Sequence, residues 1–372
     1  MFLAFTEMRR AKVRFGMLIG AIALLVFLIL FQQSLQNGLI TSFIGGVRNQ
    51  TAPVLVYSVD GQRFVQGSVI TPDQEALIRS ADGVGSVGRF SQGTFTVRTD
   101  TDVYDTSVVG FDDASLGAPA EITAGRLPGS AGEAVASDAD TSNGFDVGDV
   151  VTVEPGGLEI TIVGLGRDVQ LNAGPALFVL YDTYVAAVTA RNPDAGEPLP
   201  NVMALRPADG VSPDQLVANV NALSEDLDAL TRNDAADKAP GVSQVRSSFR
   251  IVFLLYGLVV PCVTGLFFLI VTFQKANSLT LLRAIGAPAR RLVASLLIQV
   301  VVIVVAGYAL GVALYTPVSQ RRLGGIPLRF ETTAVVVWGV VLLALGLLSS
   351  LLSARRVLRI DPVEATVGTV TR

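Results

Sequence analysis

Asp112–Asp113, Asp138 with Asp140, and Glu225–Asp226 are the carboxylate pairs of this 372-residue chain. Two such groups across a scissile bond are the machinery of glycoside hydrolysis, one as acid and the other as base or nucleophile. Residues 37–248 hold 28 Asp and Glu, however, so pairs of this kind arise from composition and read as solvated faces. The runs DTDVYD and DAD offer oxygen atoms to calcium, but neither has the Asp-x-Asp-x-Asp-Gly spacing with a distal Glu; they read as polar loops. Histidine is absent, which removes Ser-His-Asp triads, imidazole zinc ligands and histidine bases. The three lysines, Lys12, Lys238 and Lys275, do not follow a Gly-x-x-x-x-Gly-Lys-Ser/Thr loop, so the chain is not expected to hydrolyse ATP alone. Gly156–Gly157 and Gly324–Gly325 are turn signals. Cys262, the one cysteine, forms no intramolecular disulfide and reads as a small core residue. These residues describe a non-catalytic chain with no cofactor or metal of its own.

The elements that must position any site are set by composition. Half of the residues are apolar and 16% are charged, too greasy for an ordinary soluble protein. The net charge of −4 hides two unlike parts: 28 acidic against 12 basic residues give −16 within 37–248, and 4 against 16 give +12 elsewhere. That pattern suggests a soluble domain inserted into a membrane scaffold. Four runs without Asp, Glu, Lys or Arg, Phe15–Phe31, Ile251–Phe273, Leu292–Leu314 and Thr333–Ser353, approach the roughly 20 residues needed to span a bilayer. The first reads as a span and not a cleaved signal, since no small-x-small site follows. Instead QQSLQNGLITSFIGG continues with Leu35, Leu39, Ile40 and Phe43 at helical spacing, as an amphipathic stalk.

Positive flanks orient the spans. Arg9, Arg10, Lys12 and Arg14 precede the first; Lys275, Arg283, Arg290 and Arg291 separate the second and third; Arg355, Arg356 and Arg359 follow the fourth. All three sets belong on the cytoplasmic side, which places both termini inside and the acidic domain outside. The loop YTPVSQRRLGGIPLRFE dissents: Arg321, Arg322 and Arg329 face outward, as solvated charge or as partners of acidic residues or lipid phosphate.

The inserted domain reads as mixed α/β and strand-rich. PVLVYSVDG, TFTVRTDTDVYDTSVVGF and the hairpin DVGDVVTVEPGGLEITIVGL supply strands. TPDQEALIRSA predicts a helix capped by Thr71 with Pro72 in its first turn. SPDQLVANVNALSEDLDAL predicts a second from Ser212 and Pro213, with Leu216, Val217, Val220, Leu223, Leu227 and Leu230 on one face. The shared Ser/Thr-Pro-Asp-Gln start raises the question of a duplicated subdomain.

LTLLRAIGAPARRL, residues 279–292, predicts a short helix, a corner at Gly286 and a new helix after Pro288. Leu279, Leu282, Ala284 and Ile285 give it an apolar side, which could lie on lipid or dock on a protein. Near the C-terminus, Asp361 can cap a helix starting at Pro362, with Glu364 closing a capping box, so an elbow follows Arg359.

LLRAIGAPARRL after a long span, ARRVLRIDPVEA after the last one, and GRLPGSAGEAVASDADTSNGFDVGDVVTV inside the large domain together resemble the FtsX-like, or MacB-type, ABC transporter permeases. The resemblance spans essentially the whole chain and is closest in plan to DevC-type and LolC-type permeases, whose ATPase is a separate chain. It implies that Leu279, Leu282, Arg283, Ala284, Ile285, Gly286, Ala287 and Pro288 form a coupling helix docking on that ATPase, Arg283 meeting acidic residues there. Arg359, Asp361, Pro362 and Glu364 would form the cytoplasmic elbow. Many relatives carry an Arg-Glu pair just before the coupling helix, where QKANSLT offers Lys275 alone.

The fold class expected is a membrane α-helical protein with four transmembrane helices and a mixed α/β, strand-rich extracytoplasmic domain between helices 1 and 2. Its parts are 1–36 (cytoplasmic segment and first span), 37–248 (extracytoplasmic domain with stalks), 249–273 (second span) and 274–291 (coupling helix). Then follow 292–314 (third span), 315–332 (outer loop), 333–353 (fourth span) and 354–372 (cytoplasmic tail). ATP and Mg are expected on a cytoplasmic ABC ATPase partner. A second permease copy or paralogue, membrane lipid and an extracytoplasmic adaptor or hydrolase complete the partners, with no nucleic acid. The expected place is the bacterial inner membrane, and the expected work is mechanotransmission that exports or extracts a lipid, lipoprotein, peptide or hydrophobic compound. A regulator of a cell-wall hydrolase and a membrane-anchored receptor are the alternatives.

Overall fold

The computed structural model describes residues 12–194, 196–274, 289–320, 322–323 and 326–358. The chain divides into two compact units: Met1–Gln36 with Ser248–Arg321 and Leu328–Arg372, and Asn37–Ser247 with Arg322–Pro327.

The first unit is helical. It takes in the start of α1 (Lys12–Arg48), most of α6 (Val242–Gln274), α7 (Ala289–Val318) and α8 (Thr332–Leu358). Each of the four apolar runs lies in a helix. Among the described residues three stretches are long and apolar enough to cross a membrane, Phe15–Arg48, Val242–Val259 and Leu297–Val318, whereas the apolar stretch of α8, Thr332–Leu348, is shorter. Phe15 and Leu18 pack with Val300, Ile303 and Val304, and Val26, Ile29 and Leu30 pack with Tyr315 and Leu342, so α1 beds against α7 and α8. Ile251, Leu254, Leu255 and Leu258 of α6 are exposed. Cys262, on the same helix, is exposed as well and is not the core residue its type suggests; its neighbours Val259, Val263 and Leu266 are exposed too, so an apolar residue type does not mark a buried position on this helix.

The second unit is built on a four-stranded sheet of order β10–β1–β9–β2, formed by Leu227–Thr231, Val54–Ser58, Val202–Pro207 and Val84–Arg98. Helices α2 (Pro72–Arg79) and α4 (Pro213–Asn221) follow β1 and β9. The plan is β-α-β twice over, the split ferredoxin-like arrangement. The two Pro-Asp-Gln segments thus occupy equivalent places in its two halves. Both are capped as their sequences require: Thr71 Oγ1 accepts from Gln74 N–H while Gln74 Oε1 accepts from Thr71 N–H, and Ser212 Oγ accepts from Gln215 N–H. Such a cap contributes about 1 kcal/mol.

Alternation gives the sheet two buried faces. Val54 and Val56 of β1 join Met203, Leu205, Ile78, Leu216 and Val220 under the helices, while Leu55 and Tyr57 point to the opposite core with Val202, Ala204 and Phe90. The helix predicted to run to Leu230 stops at Asn221. Ser224 Oγ accepts from Asp226 N–H in a turn, and the chain then pairs with β1, Leu227 with Ser58 and Leu230 with Leu55. Leu227 and Leu230 are buried on opposite faces of this strand, because the sheet edge beside β1 offered a strand position that outweighed helical periodicity.

Between β2 and β9 the chain builds a small closed barrel. β2 pairs β3 (Val103–Phe111), β3 pairs β8 (Ala176–Leu180), and β8 pairs β5 (Glu133–Ser137). β5 in turn pairs β7 (Leu158–Gly166), β7 pairs β6 (Val150–Glu154), and β6 returns to β2 through Thr96–Glu154, Val97–Val153 and Arg98–Thr152. The inward residues include Phe95, Val97, Val108, Val151, Ile160 and Leu177, with the small Ala134 and Ala136 on β5 making room. Helix α3 (Tyr181–Arg191) covers it with Tyr184, Ala187 and Val188. β4 (Ile122–Gly125) pairs β7 at the edge, and β11 (Arg322–Leu323) with β12 (Ile326–Pro327) forms a separate hairpin.

Candidate functional site

The residues assigned to ATPase coupling, Leu279, Leu282, Arg283, Ala284, Ile285, Gly286, Ala287 and Pro288, lie outside the described residues, as do Arg359, Asp361, Pro362 and Glu364. The described chain brackets them: α6 ends at Gln274, α7 begins at Ala289, and α8 ends at Leu358.

Of the helices that flank this segment, α7 meets α1 at close quarters. A β-carbon at Gly307 would stand 2.8 Å from the Ile22 β-carbon, and one at Gly311 2.6 Å from that of Val26 and 2.7 Å from the Ala23 carbonyl. Small residues four apart let backbones approach where lipid gives no hydrophobic drive for association. Polar anchors sit beyond the apolar stretch: Ser34 Oγ donates to the Arg329 carbonyl at 3.0 Å, Tyr315 Oη donates to the same carbonyl at 2.9 Å, and the Tyr315 ring lies tilted by 30° beside that of Phe330. Tyr308 Oη donates to the Val335 carbonyl, tying α7 to α8. Arg329 therefore uses its backbone, not only its charge, in the connection between α7 and α8.

In the second unit, the last turns of α1, α5 (Arg232–Asp237) and the start of α6 share one node. Asp237 Oδ1 accepts from Arg48 Nη2 at 3.1 Å and from Arg246 Nη2 at 2.5 Å. The hydrogen bond from Arg246 leads in holding the Asp237 carboxyl below the usual aspartate range, with the charges of Arg246 and Arg48 adding to it. Ile40 and Ile44 pack with Ala236 and Val242 beside the node. Phe43, predicted on the apolar side of this stalk, is exposed while Ile40, Ile44 and Val47 are buried, a shift of the buried stripe by one position. Nothing in the local sequence marks Asp237 as a link between two helices, for its partners come from 189 and 9 residues away.

Of the six carboxylates weighed as catalysts, Asp112, Asp113, Asp138 and Asp140 accept hydrogen bonds within the fold. Asp112 Oδ2 accepts from Arg89 N–H, Asp113 Oδ1 from Ser115 N–H, Asp138 Oδ1 from Asp168 N–H and Asp140 Oδ1 from Gln170 Nε2. Asp102 Oδ1 in DTDVYD accepts from Val103 N–H. Among the described residues no group of three or more His, Cys, Asp or Glu is arranged to hold a metal ion.

The GRLPGSAGE stretch becomes an ionic lock. Arg126 Nη1 and Nη2 donate to Glu133 Oε2 and Oε1 at 2.7 and 2.6 Å, and Gly129 N–H donates to Glu133 Oε2 at 2.8 Å. This bidentate pair joins the end of β4 to the start of β5. It lowers the Glu133 carboxyl to about 2, the Arg126 hydrogen bonds first among the causes and the Gly129 amide next. Arg98 and Glu154 form a second bidentate pair where β6 closes the barrel on β2, at 2.8 and 3.1 Å.

Residues 250–362 match the family described as FtsX-like permease C-terminal. The chain is 24% identical over 372 residues to a Staphylococcus haemolyticus protein named as a hemin transport system permease protein, HrtB, with 98% of this chain and 99% of that one covered. A protein of the same name from Staphylococcus epidermidis is 28% identical over 141 residues, 38% of this chain and 39% of that one. Among solved structures, the periplasmic region of MacB from Actinobacillus actinomycetemcomitans is similar with a TM-score of 0.36 at 15% identity, covering 52% of this chain and 94% of that one. The extracellular domain of the noncanonic ABC-type transporter YknZ from Gram-positive bacteria gives 0.34 at 14%, with 48% and 99% covered.

Proposed function

We propose that this chain, an ABC transporter permease of the FtsX/MacB type, passes the force of ATP hydrolysis on a separate ATPase subunit to its strand-rich domain outside the membrane. The observation that carries the reading is the permease match over residues 250–362, which contains the whole of 279–288 and Asp361 and Pro362. The chain has three lysines and no P-loop, so ATP and Mg would be held by the partner. In this reading four spans leave both termini and residues 274–291 in the cytoplasm, and two permease copies or paralogues meet one pair of ATPase subunits.

ATP-driven closure of the ATPase would push the 279–288 segment, with Arg283 on an acidic groove and Gly286–Pro288 keeping the corner stiff. α1 and α6 each contribute residues to both units and would conduct the movement. The apolar runs carry no Asp, Glu, Lys or Arg, which favours a cargo handled at the outer surface over a small polar solute passed through the middle of the bilayer.

The cargo class is a lipid, lipoprotein, peptide or hydrophobic compound. Hemin, named for the staphylococcal relatives, fits this class as a flat amphipathic molecule that partitions into membranes. With no histidine in the chain, hemin iron would have no imidazole ligand here. The test is reconstitution of the permease with its ATPase in vesicles. ATP-dependent loss of hemin or of a labelled lipid from the membrane supports the reading; hydrolysis that is indifferent to the permease and moves neither compound contradicts it.

A further inference from the structure

The connection between barrel strands β7 and β8 is held in a costly conformation against the end of α1. Asp168, Asn172 and Ala173 have φ of 52°, 52° and 59°. Asp and Asn tolerate the left-handed region; alanine has no side-chain hydrogen bond to offset it, and such strain persists only where neighbouring structure imposes it.

The neighbour is the helix backbone. Ala173 N–H donates to the Ser42 carbonyl at 2.8 Å, Asn172 N–H to the Phe43 carbonyl at 3.0 Å, and Gly46 N–H to the Gln170 carbonyl at 2.9 Å. In a regular helix the Gly46 amide and the Ser42 carbonyl are each other's partners; here both reach the loop. Asn49 Nδ2 adds a bond to the Asp168 carbonyl at 2.8 Å. Gly45 and Gly46 make the approach feasible: a β-carbon at Gly45 would stand 2.3 Å from the Asp168 carbonyl oxygen, and one at Gly46 2.7 Å from Leu171 Cγ.

The far side of the loop is gripped by the domain. Val169 and Leu171 are in the core shared with Phe178 and Phe111. Gln170 Nε2 donates to Asp140 Oδ1 at 2.7 Å in a buried bond, and Asp168 N–H donates to Asp138 Oδ1. A loop fixed to a helix by three backbone hydrogen bonds, and packed with Phe111 of β3 and Phe178 of β8 on the outer side of the barrel strands, ties the motion of the helix to that of the barrel.

We propose that residues 168–174 are the seat through which α1 moves the barrel, with Gly45 and Gly46 as the positions that let the seat close. This rests on the mechanical reading above and names the contact that reading needs.

The test uses the full chain with its ATPase in nanodiscs. Amide exchange at Asn172 and Ala173 should be slow in wild type and in Ala173→Gly, which keeps the donor and eases the left-handed φ. In Gly45→Val it should rise about tenfold, as expected for loss of backbone hydrogen bonds that local opening must otherwise break. A fluorophore on exposed Asp182→Cys, in a Cys262→Ser background, should respond to ATP in wild type and Ala173→Gly and lose the response in Gly45→Val while hydrolysis continues. A short crosslink between Ser42→Cys and Ala173→Cys, which tests the seat without a bulky residue, should leave the response intact. An equal response in Gly45→Val and wild type, or its loss on crosslinking, overturns the seat and leaves the permease reading standing. Absence of any response in wild type overturns the mechanical reading and the seat with it.

Discussion

Gly311 of α7 lies so close to Val26 of α1 that a β-carbon added to it would be 2.6 Å from the valine β-carbon. Gly307, one turn earlier, meets Ile22 in the same way. The third apolar run is thereby fixed against the first, and α7 is the helix that begins at Ala289, directly after the segment assigned to the ATPase.

Gly311→Leu should therefore destabilise the helical unit. Overpacking a filled contact costs about 1–3 kcal/mol, and a backbone carbonyl at 2.7 Å cannot turn aside as a side chain could. Thermal unfolding of the full chain in detergent should show a lower midpoint, with Gly311→Ala intermediate. The exposed Gly16 and Gly20, which have open space around them within one chain, should accept alanine with little change.

Glu133 gives the strand-rich domain a defined acid sensitivity. Its carboxyl is lowered from 4.5 to about 2, so the folded state favours the charged form more than the unfolded state does. The stabilisation is complete above pH 4.5 and is lost as pH falls through about 2. Glu133→Gln should lower the midpoint at neutral pH and flatten the decline between pH 4.5 and 2; a variant with the wild-type acid profile would mean that the Arg126 pair does not form.

Asp237 joins residues on two long helices while its side chain remains 44% exposed. Ion pairs of that exposure contribute about 0–1 kcal/mol, so Asp237→Asn should hardly shift the unfolding midpoint. The expected effect is local: faster amide exchange at the first turn of α6, near Val242 and Val245, which pack beside the node. Salt should reduce the difference between variant and wild type.

How far these features could be read in advance depended on how local their causes are. Thr71 and Ser212 declared their helices because a cap is completed within three residues. The four apolar runs announced helices by composition alone. Leu227 and Leu230 misled, since spacing that suits a helix face also suits the two sides of a strand, and the choice was made by β1, whose Ser58 and Leu55 pair with them from 169 and 175 residues away. Barrel closure at Thr96–Glu154 and the Asp237 node are contacts of the same distant kind. The seat under α1 was hidden for another reason: Asp168 and Asn172 hint at left-handed backbone, but Ala173 carries no such signal. At 279–288 and 359–364 the helix ends were legible from glycine, proline and capping residues, whereas the coupling role came through family resemblance, and both readings rest on the sequence.

Residues 279–288 are proposed to couple this chain to an ATPase. The most direct measurement is ATP hydrolysis by the co-purified complex in nanodiscs, with Arg283→Ala and Gly286→Val compared against wild type. Removal of the Arg283 charge should weaken capture of the ATPase, and a branched residue at Gly286, where the Gly-Ala-Pro sequence predicts a helix end that favours glycine, should leave ATPase bound but unresponsive. Retention of both the complex and its full permease-dependent hydrolysis in the two variants would contradict the claim.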